Sequence, residues 1–216
     1  MVDSVTDRMR LRRLADKAVT DRDVLNDILD AGLVAHVGII DHEQPFVIPV
    51  GYARRDDDVI IHGSTGSRLF RLLADGAPAC LTVTLLDGVV YARSAFESSM
   101  NYRSAVLVGR AHRLSGDDEQ DALRALSDHL LPGRWNHARQ PSRKELAATI
   151  TAALPIEEWS VKVSEGGPAD DPEDLRDEPW RSIWAGHVPI EQNFAAAVTD
   201  SHVSPGVPVP AYVEQR

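Results

Sequence analysis

Apolar residues recur at a spacing of three and four along Val24, Leu25, Ile28 and Leu29, which is one face of a helix. Thr20 precedes this run as a candidate N-cap with Asp23 near the reach-back position, and Gly32 is a natural stop. The period then falls to two. Residues 34–40, 46–53 and 59–62 read as short strands, separated by a turn at 41–45 and by the acidic turn Asp56-Asp57-Asp58. A Gly/Ser loop over 62–67 leads into a helix with Leu69, Leu72 and Leu73 inside. Residues 79–86 and 89–94 read as a hairpin around Asp87-Gly88, a strong two-residue turn signal. Residues 105–114 form an apolar strand with no polar face. Residues 117–131 form a helix carrying Leu123, Leu126 and Leu130 on one stripe. Ser142 caps a short helix reaching Ile150, and Trp159, Val161 and Val163 alternate with polar residues in a late strand.

Six or seven mostly antiparallel strands in sequential hairpins, with three or four helices, predict an α+β barrel rather than a doubly wound sheet. The organisation expected is an arm over 1–19, a barrel domain over 20–164 and an irregular tail over 165–216. That tail is rich in Pro, Gly and Asp, with a short helical piece near Trp180. A chain of 216 residues is long enough for one such unit with a substantial core.

The formal net charge of −10 sets the acidic chain against nonspecific binding to nucleic acid or anionic membranes, while leaving room for a local basic pocket. Residues 1–20 mix Asp with Arg and lack the apolar core of a secretory signal, and no stretch has the roughly 18 apolar residues of a membrane span. Cys80 is the single cysteine, so no intrachain disulfide can form, which fits a cytoplasmic protein. Its apolar neighbours mark it as packing rather than nucleophile. The eight histidines show no His-Glu-x-x-His spacing, so a zinc site is not expected.

Two segments carry candidate chemistry. In the first, Gly63 and Gly66 free the backbone to turn its N–H groups toward a ligand, Ser64, Thr65 and Ser67 add hydroxyls, and Arg68 opens the next helix. These are the donors a phosphate monoester needs; the same composition also describes a polar turn capped by Ser67. His62 ends a strand at this loop. The second segment, residues 96–104, includes Ser99, Asn101, Tyr102, Arg103 and Ser104. Asn101 and Ser104 suit an imide edge, Tyr102 a ring face and Arg103 an anion, although a solvated loop has the same composition. Trp180 and Trp184 stand in the polar tail, where tryptophans dock on something.

In order and spacing, these segments resemble the pyridoxamine 5′-phosphate oxidase-like, FMN-binding split-barrel superfamily, and within it the Nim-type (nitroimidazole-resistance-like) branch. The marks are Pro49-Val50-Gly51-Tyr52, His62-Gly63-Ser64 with Ser67-Arg68, the run from Asn101 to Val106 leading to Gly109, Lys162, and Trp184-Ala185-Gly186 followed by Pro189. The resemblance implies a split β-barrel and a homodimer with FMN at the interface. Val47, Pro49 and Tyr52 would line the ring, and Gly63, Ser64, Ser67 and Arg68 would hold the phosphate. His62 would lie beside the flavin as the catalytic group. Ser99, Asn101, Tyr102, Arg103 and Ser104 would approach from the partner subunit, with Trp184 packed over the site. The implied activity is an oxidoreductase passing electrons from a reduced donor through FMN to a small-molecule substrate. The alternatives are a non-catalytic FMN- or haem-binding module, in which His62 or a tail histidine would be the axial ligand, and an F420-dependent reductase. The C-terminal substrate pattern of true pyridoxamine phosphate oxidases has no match here, so the resemblance does not imply vitamin B6 oxidation.

Overall fold

The computed structural model describes residues 9–10, 15–176 and 178–216. Most of the expected N-terminal arm lies outside these residues. Among them are ten strands and six α-helices: β1 (Ala18–Val19), α1 (Arg22–Ala31), β2 (Val34–Asp41), β3 (Gln44–Arg55), β4 (Asp58–Ser64), α2 (Arg68–Ala74), β5 (Pro78–Tyr91), β6 (Ser99–Arg110), β7 (His112–Arg113), α3 (Gly116–Leu130), α4 (Arg134–His137), α5 (Arg143–Ala147), β8 (Thr149–Pro155), β9 (Glu158–Ser164), β10 (Gly186–Pro189) and α6 (Ala211–Glu214). The strands run β1-β9-β6-β5-β2-β3-β4-β8-β7, with β10 added along β5, and every pairing is antiparallel. The fold is the α+β split barrel expected from the sequence.

The split is made by β3. Its residues 44–51 pair with β2, whereas residues 52–55 pair with β4. Beyond that corner, residues 58–64 of β4 pair with β8, so the sheet parts into two halves with β3 as their shared edge. Tyr52 stands at the corner, fully buried, and its hydroxyl donates to the Leu29 carbonyl at 2.7 Å. This bond ties the corner to α1, which buries Leu25, Ile28 and Leu29 in the main core with Val37, Leu81, Leu107 and Trp159. A smaller core lies on the other face of β3, β4 and β8, where Ala53, Ile60 and Ala153 meet Ala122 and Leu126 of α3.

Several local expectations are corrected. The N-cap of α1 is Asp21, whose carboxylate accepts from the Asp23 N–H at 2.9 Å; Thr20 is not the cap. The hairpin expected at Asp87-Gly88 does not exist. β5 runs through these residues as one strand, with a bulge at Asp87. The reason is tertiary. The second half of β5 is paired on both edges, by β6 and by β10, and the Asp87 carbonyl accepts from the Ile190 N–H at 2.9 Å. A Cβ on Gly88 would lie 2.9 Å from the Val188 carbonyl oxygen, so this glycine permits close approach of β10 rather than a turn. The helix capped by Ser142 is present, with a full capping box to Glu145, but ends at Ala147. From Thr149 the chain is β8, a strand buried on both faces whose apolar run mimics helix continuation.

Candidate functional site

The loop expected over 62–67 begins later: His62, Gly63 and Ser64 are the last residues of β4, paired with β8, and only residues 65–67 connect it to α2. Alternation along β4 sends Val59 and Ile61 to the main core and Ile60 to the smaller one, so His62 points out on the side of Ile60. The imidazole is open to solvent, yet the protein on its inner side desolvates the charged form and lowers its pKa below the ordinary histidine value. Opposite His62 on β8 is Thr151, fully buried, whose hydroxyl has no hydrogen-bond partner among the described residues. Sequence reasoning missed Thr151 because β8 reads as the end of a helix.

Gly63 follows because nothing larger fits. A Cβ there would lie 2.1 Å from the Phe70 ring of α2. The loop amides do not turn outward as expected. Thr65 N–H donates to the Ala148 carbonyl at 2.9 Å, Gly66 N–H to Ser64 Oγ at 3.1 Å and Ser67 N–H to the Ser64 carbonyl at 2.9 Å. The loop folds on itself and offers side chains instead. Ser67 is the N-cap of α2 by position, but its hydroxyl makes no cap bond. Arg68 is half exposed, pairs with Asp41 at 3.1 Å and lies over the Phe46 ring at 3.8 Å. Asp41 and Phe46 flank the tip of the β2–β3 hairpin, so Arg68 joins the loop to the first half of the barrel. This neighbourhood was not legible locally, because Asp41 and Arg68 are 27 positions apart in the sequence.

The other expected residues fall into different places. Val47 and Pro49 lie on the outer face of β3, and Val47 is 65% accessible. The Tyr52 side chain is sealed in the core and can touch no ligand; burial, with the Asp30 charge, also pushes its hydroxyl pKa well up. Residues 99–104 are strand, not loop. Asn101 is buried, its amide donating to the Gly166 carbonyl at 2.9 Å, so it holds the 165–167 turn rather than an imide edge. Arg103 is engaged by the bulge carboxylate: its Nε and Nη2 donate to Asp87 at 3.0 and 2.8 Å. Tyr102 and Ser104 are half-buried on the outer face, and Ser104 Oγ lies 3.3 Å from Thr84 Oγ1. Ser99 pairs with Val90, and the ring of Trp184 is tilted against Tyr91 at 5.8 Å. Within one chain β6 is three strands from β3, roughly 14 Å at about 4.8 Å per strand. The fold therefore gathers His62, Ser64, Ser67 and Arg68 at one end and leaves the β6 residues and Trp184 elsewhere on the sheet.

The outer face itself is unusually apolar. Ile40, Val47 and Val34 are 67%, 65% and 50% accessible, and a depression of about 470 Å³ opens among Gly38, Ile40, Val47, Cys80 and Val108. Cys80 belongs to this face, half-buried, rather than to the core expected from its neighbours. No group of three or more metal-ligating side chains forms among the described residues. No described helix is long and apolar enough to cross a membrane.

Comparison with known proteins places this architecture. The chain is similar to the FAD and haem binding protein from Mycobacterium smegmatis, at 44% identity and a TM-score of 0.87, over 92% of this chain and 96% of that one. It is similar to the flavocytochrome Anf3 from Azotobacter vinelandii, at 40% identity and a TM-score of 0.90, over 97% and 96% of the two chains. A protein assigned to 5-nitroimidazole antibiotic resistance in Bacteroides thetaiotaomicron shares the fold at 20% identity and a TM-score of 0.58, over 68% and 86%. None of the functionally curated proteins matches the chain. Residues 21–163, from the first turn of α1 to β9, match the family model described as pyridoxamine 5′-phosphate oxidase. With that match running from α1 to β9, and two relatives at 40% identity or more along nearly the full length, the chain belongs to the pyridoxamine 5′-phosphate oxidase-like split-barrel family.

Proposed function

We propose that the protein binds a flavin at the mouth of the split and carries electrons through it to a small molecule. The observation behind this reading is the 44% identity, over 92% of the chain, to a protein that binds FAD and haem. That relative favours FAD over the FMN expected from the sequence. A bound flavin would supply the electron storage and transfer, and the chain would supply orientation, access and proton handling.

The residues present fit such a group through side chains. Arg68 is half exposed and held by one ion pair, so it can exchange Asp41 for a phosphate. The Ser67 hydroxyl is not committed to capping. Val47 and Pro49 offer an apolar wall. His62, kept neutral near pH 7 by desolvation, has one ring nitrogen to donate a proton in a hydrogen bond and one to accept. Ser104 and Tyr102 on β6 complete the site only if a second copy docks its outer face here. A homodimer through the exposed Ile40 and Val47 surface is part of the proposal.

Haem is a second reading, favoured by the haem of the 44% relative and by the flavocytochrome at 40%. His62 and the exposed tail histidines His187 and His202 are the available axial ligands. The absorbance spectrum of the purified protein, with mass identification of the released chromophore, separates these outcomes. Flavin bands with a released mass of FAD or FMN support the flavin reading and choose between the two. A Soret band adds haem. A colourless protein that ignores added FAD and FMN rejects both. Arg68→Ala is expected to lower flavin affinity by about tenfold or more, the worth of one charge-assisted contact. His62→Ala is expected to retain flavin and lose turnover.

A further inference from the structure

A cavity of about 720 Å³ lies at the α1 end of the sheet, and no residue of the 62–68 loop lines it. Its floor is the α1–β2 corner, Ala31 to Val34, and the bulged part of β5, Thr84 to Asp87. Its roof is the tail: Ile190, Gln192, Asn193 and Phe194 from one stretch, and Arg216 from another. Two attachments hold that roof. At one end the Ile190 N–H donates to the Asp87 carbonyl at 2.9 Å. At the other, Tyr212 of α6 packs edge-on to His137, its hydroxyl 2.8 Å from His137 Nδ1 and accepting from Arg134 Nη1 at 3.2 Å. The Arg216 guanidinium, just past α6, lies over the Phe194 ring at 4.5 Å.

The lining has a definite chemical character. Leu33, Val34, Leu85, Leu86, Ile190 and Phe194 give it apolar surface, interrupted by the polar side chains of Thr84, Gln192 and Asn193. Two guanidinium groups, Arg103 and Arg216, face one carboxylate, Asp87, and both Asp87 oxygens are already taken by Arg103. Arg103 thus pairs with Asp87, and the Arg216 guanidinium lies instead over the Phe194 ring. The volume is that of a site for a small organic molecule, about 300–1,000 Å³. The guanidinium edge is suited to a planar anion.

We propose that this cavity is a second binding site, distinct from the flavin site, for a small molecule with an apolar body and a single carboxylate, which Arg216 receives under the tail. The proposal stands whether or not the flavin reading holds.

The test is calorimetric titration of the full chain, as purified with the chromophore it carries, using 2-naphthoate and its neutral analogue 2-naphthamide. The acid is expected to bind about tenfold more tightly than the amide, the worth of a charge-assisted contact. Arg216→Ala is expected to abolish that preference while leaving the bound chromophore in place, because Arg216 is exposed and lies outside the core. Thr84→Trp, which fills the cavity from the exposed floor, is expected to remove binding of both probes. Equal affinity for acid and amide, an unchanged preference in Arg216→Ala, or no binding at millimolar probe each overturns the proposal. Competition between 2-naphthoate and added FAD would instead merge the cavity with the flavin site, and so also overturn it.

Discussion

At Tyr52, side-chain type and position pull in different directions. The family resemblance set this aromatic residue along the flavin ring, yet it is the pin of the β3 corner. Its hydroxyl is committed to the Leu29 carbonyl in a fully buried setting. Tyr52→Phe should therefore cost about 1–3 kcal/mol, because the carbonyl loses its donor without gaining water. Urea denaturation is the check, and flavin content should not change. A Tyr52→Phe protein of full stability that has lost its flavin would return this residue to the site. His62 presents the reverse case, a side chain open to solvent whose titration is set by the wall behind it. Its imidazole should titrate below 6.5 in an NMR pH series. The folded pKa is lowered, so the unfolded chain takes up this proton first. Stability from the neutral ring is present above about pH 6.5 and is lost as the pH falls toward the folded pKa. A ring that titrates at or above 6.5 contradicts the desolvation.

Among the elements, β5 shows how a strand overrides a turn signal. Asp87-Gly88 has the composition of a tight hairpin turn, but a turn would leave the β6 and β10 edges unpaired. The bulge keeps both ladders and aims the Asp87 carboxylate at Arg103. Gly88→Val should push β10 away from β5, since its Cβ would meet the Val188 carbonyl at 2.9 Å. The expected cost is about 1–3 kcal/mol, as for other overpacked sites. The signature is faster proteolytic cleavage in the tail from residue 186 onward, with the barrel left intact. Cleavage at the wild-type rate would show that β10 is held by something other than this pairing.

For the whole molecule, the outer sheet face decides the outcome. Strands β3, β2 and β5 present Val47, Ile40 and Cys80 to solvent around a shallow apolar depression, which is what a monomer avoids and a dimer buries. Val47→Glu should convert the proposed dimer to monomer in light-scattering chromatography. If the site is completed by the partner's β6, the same change should weaken flavin binding. A monomeric wild-type chain that still binds flavin would sink that arrangement.

Much of this fold could be read directly from the chain, because period and turn chemistry are local. The α1 face at Val24, Leu25, Ile28 and Leu29, the strands around Ile39, Ile48 and Ile60, the Ser142 cap and the Leu stripe of α3 each specify themselves within a dozen residues. The segment His62–Arg68 was legible as polar chemistry for the same reason. What the chain could not state locally is which edges pair over long separations. That choice made β5 one strand, turned residues 149–155 into β8, sealed Tyr52 and Asn101 inside, and set Arg103 against Asp87. It also turned the loop amides inward and brought Asp41 and Phe46 to Arg68. Hydrogen bonding along a sheet is satisfied only by partners the tertiary structure supplies, so tertiary structure alone settled these assignments.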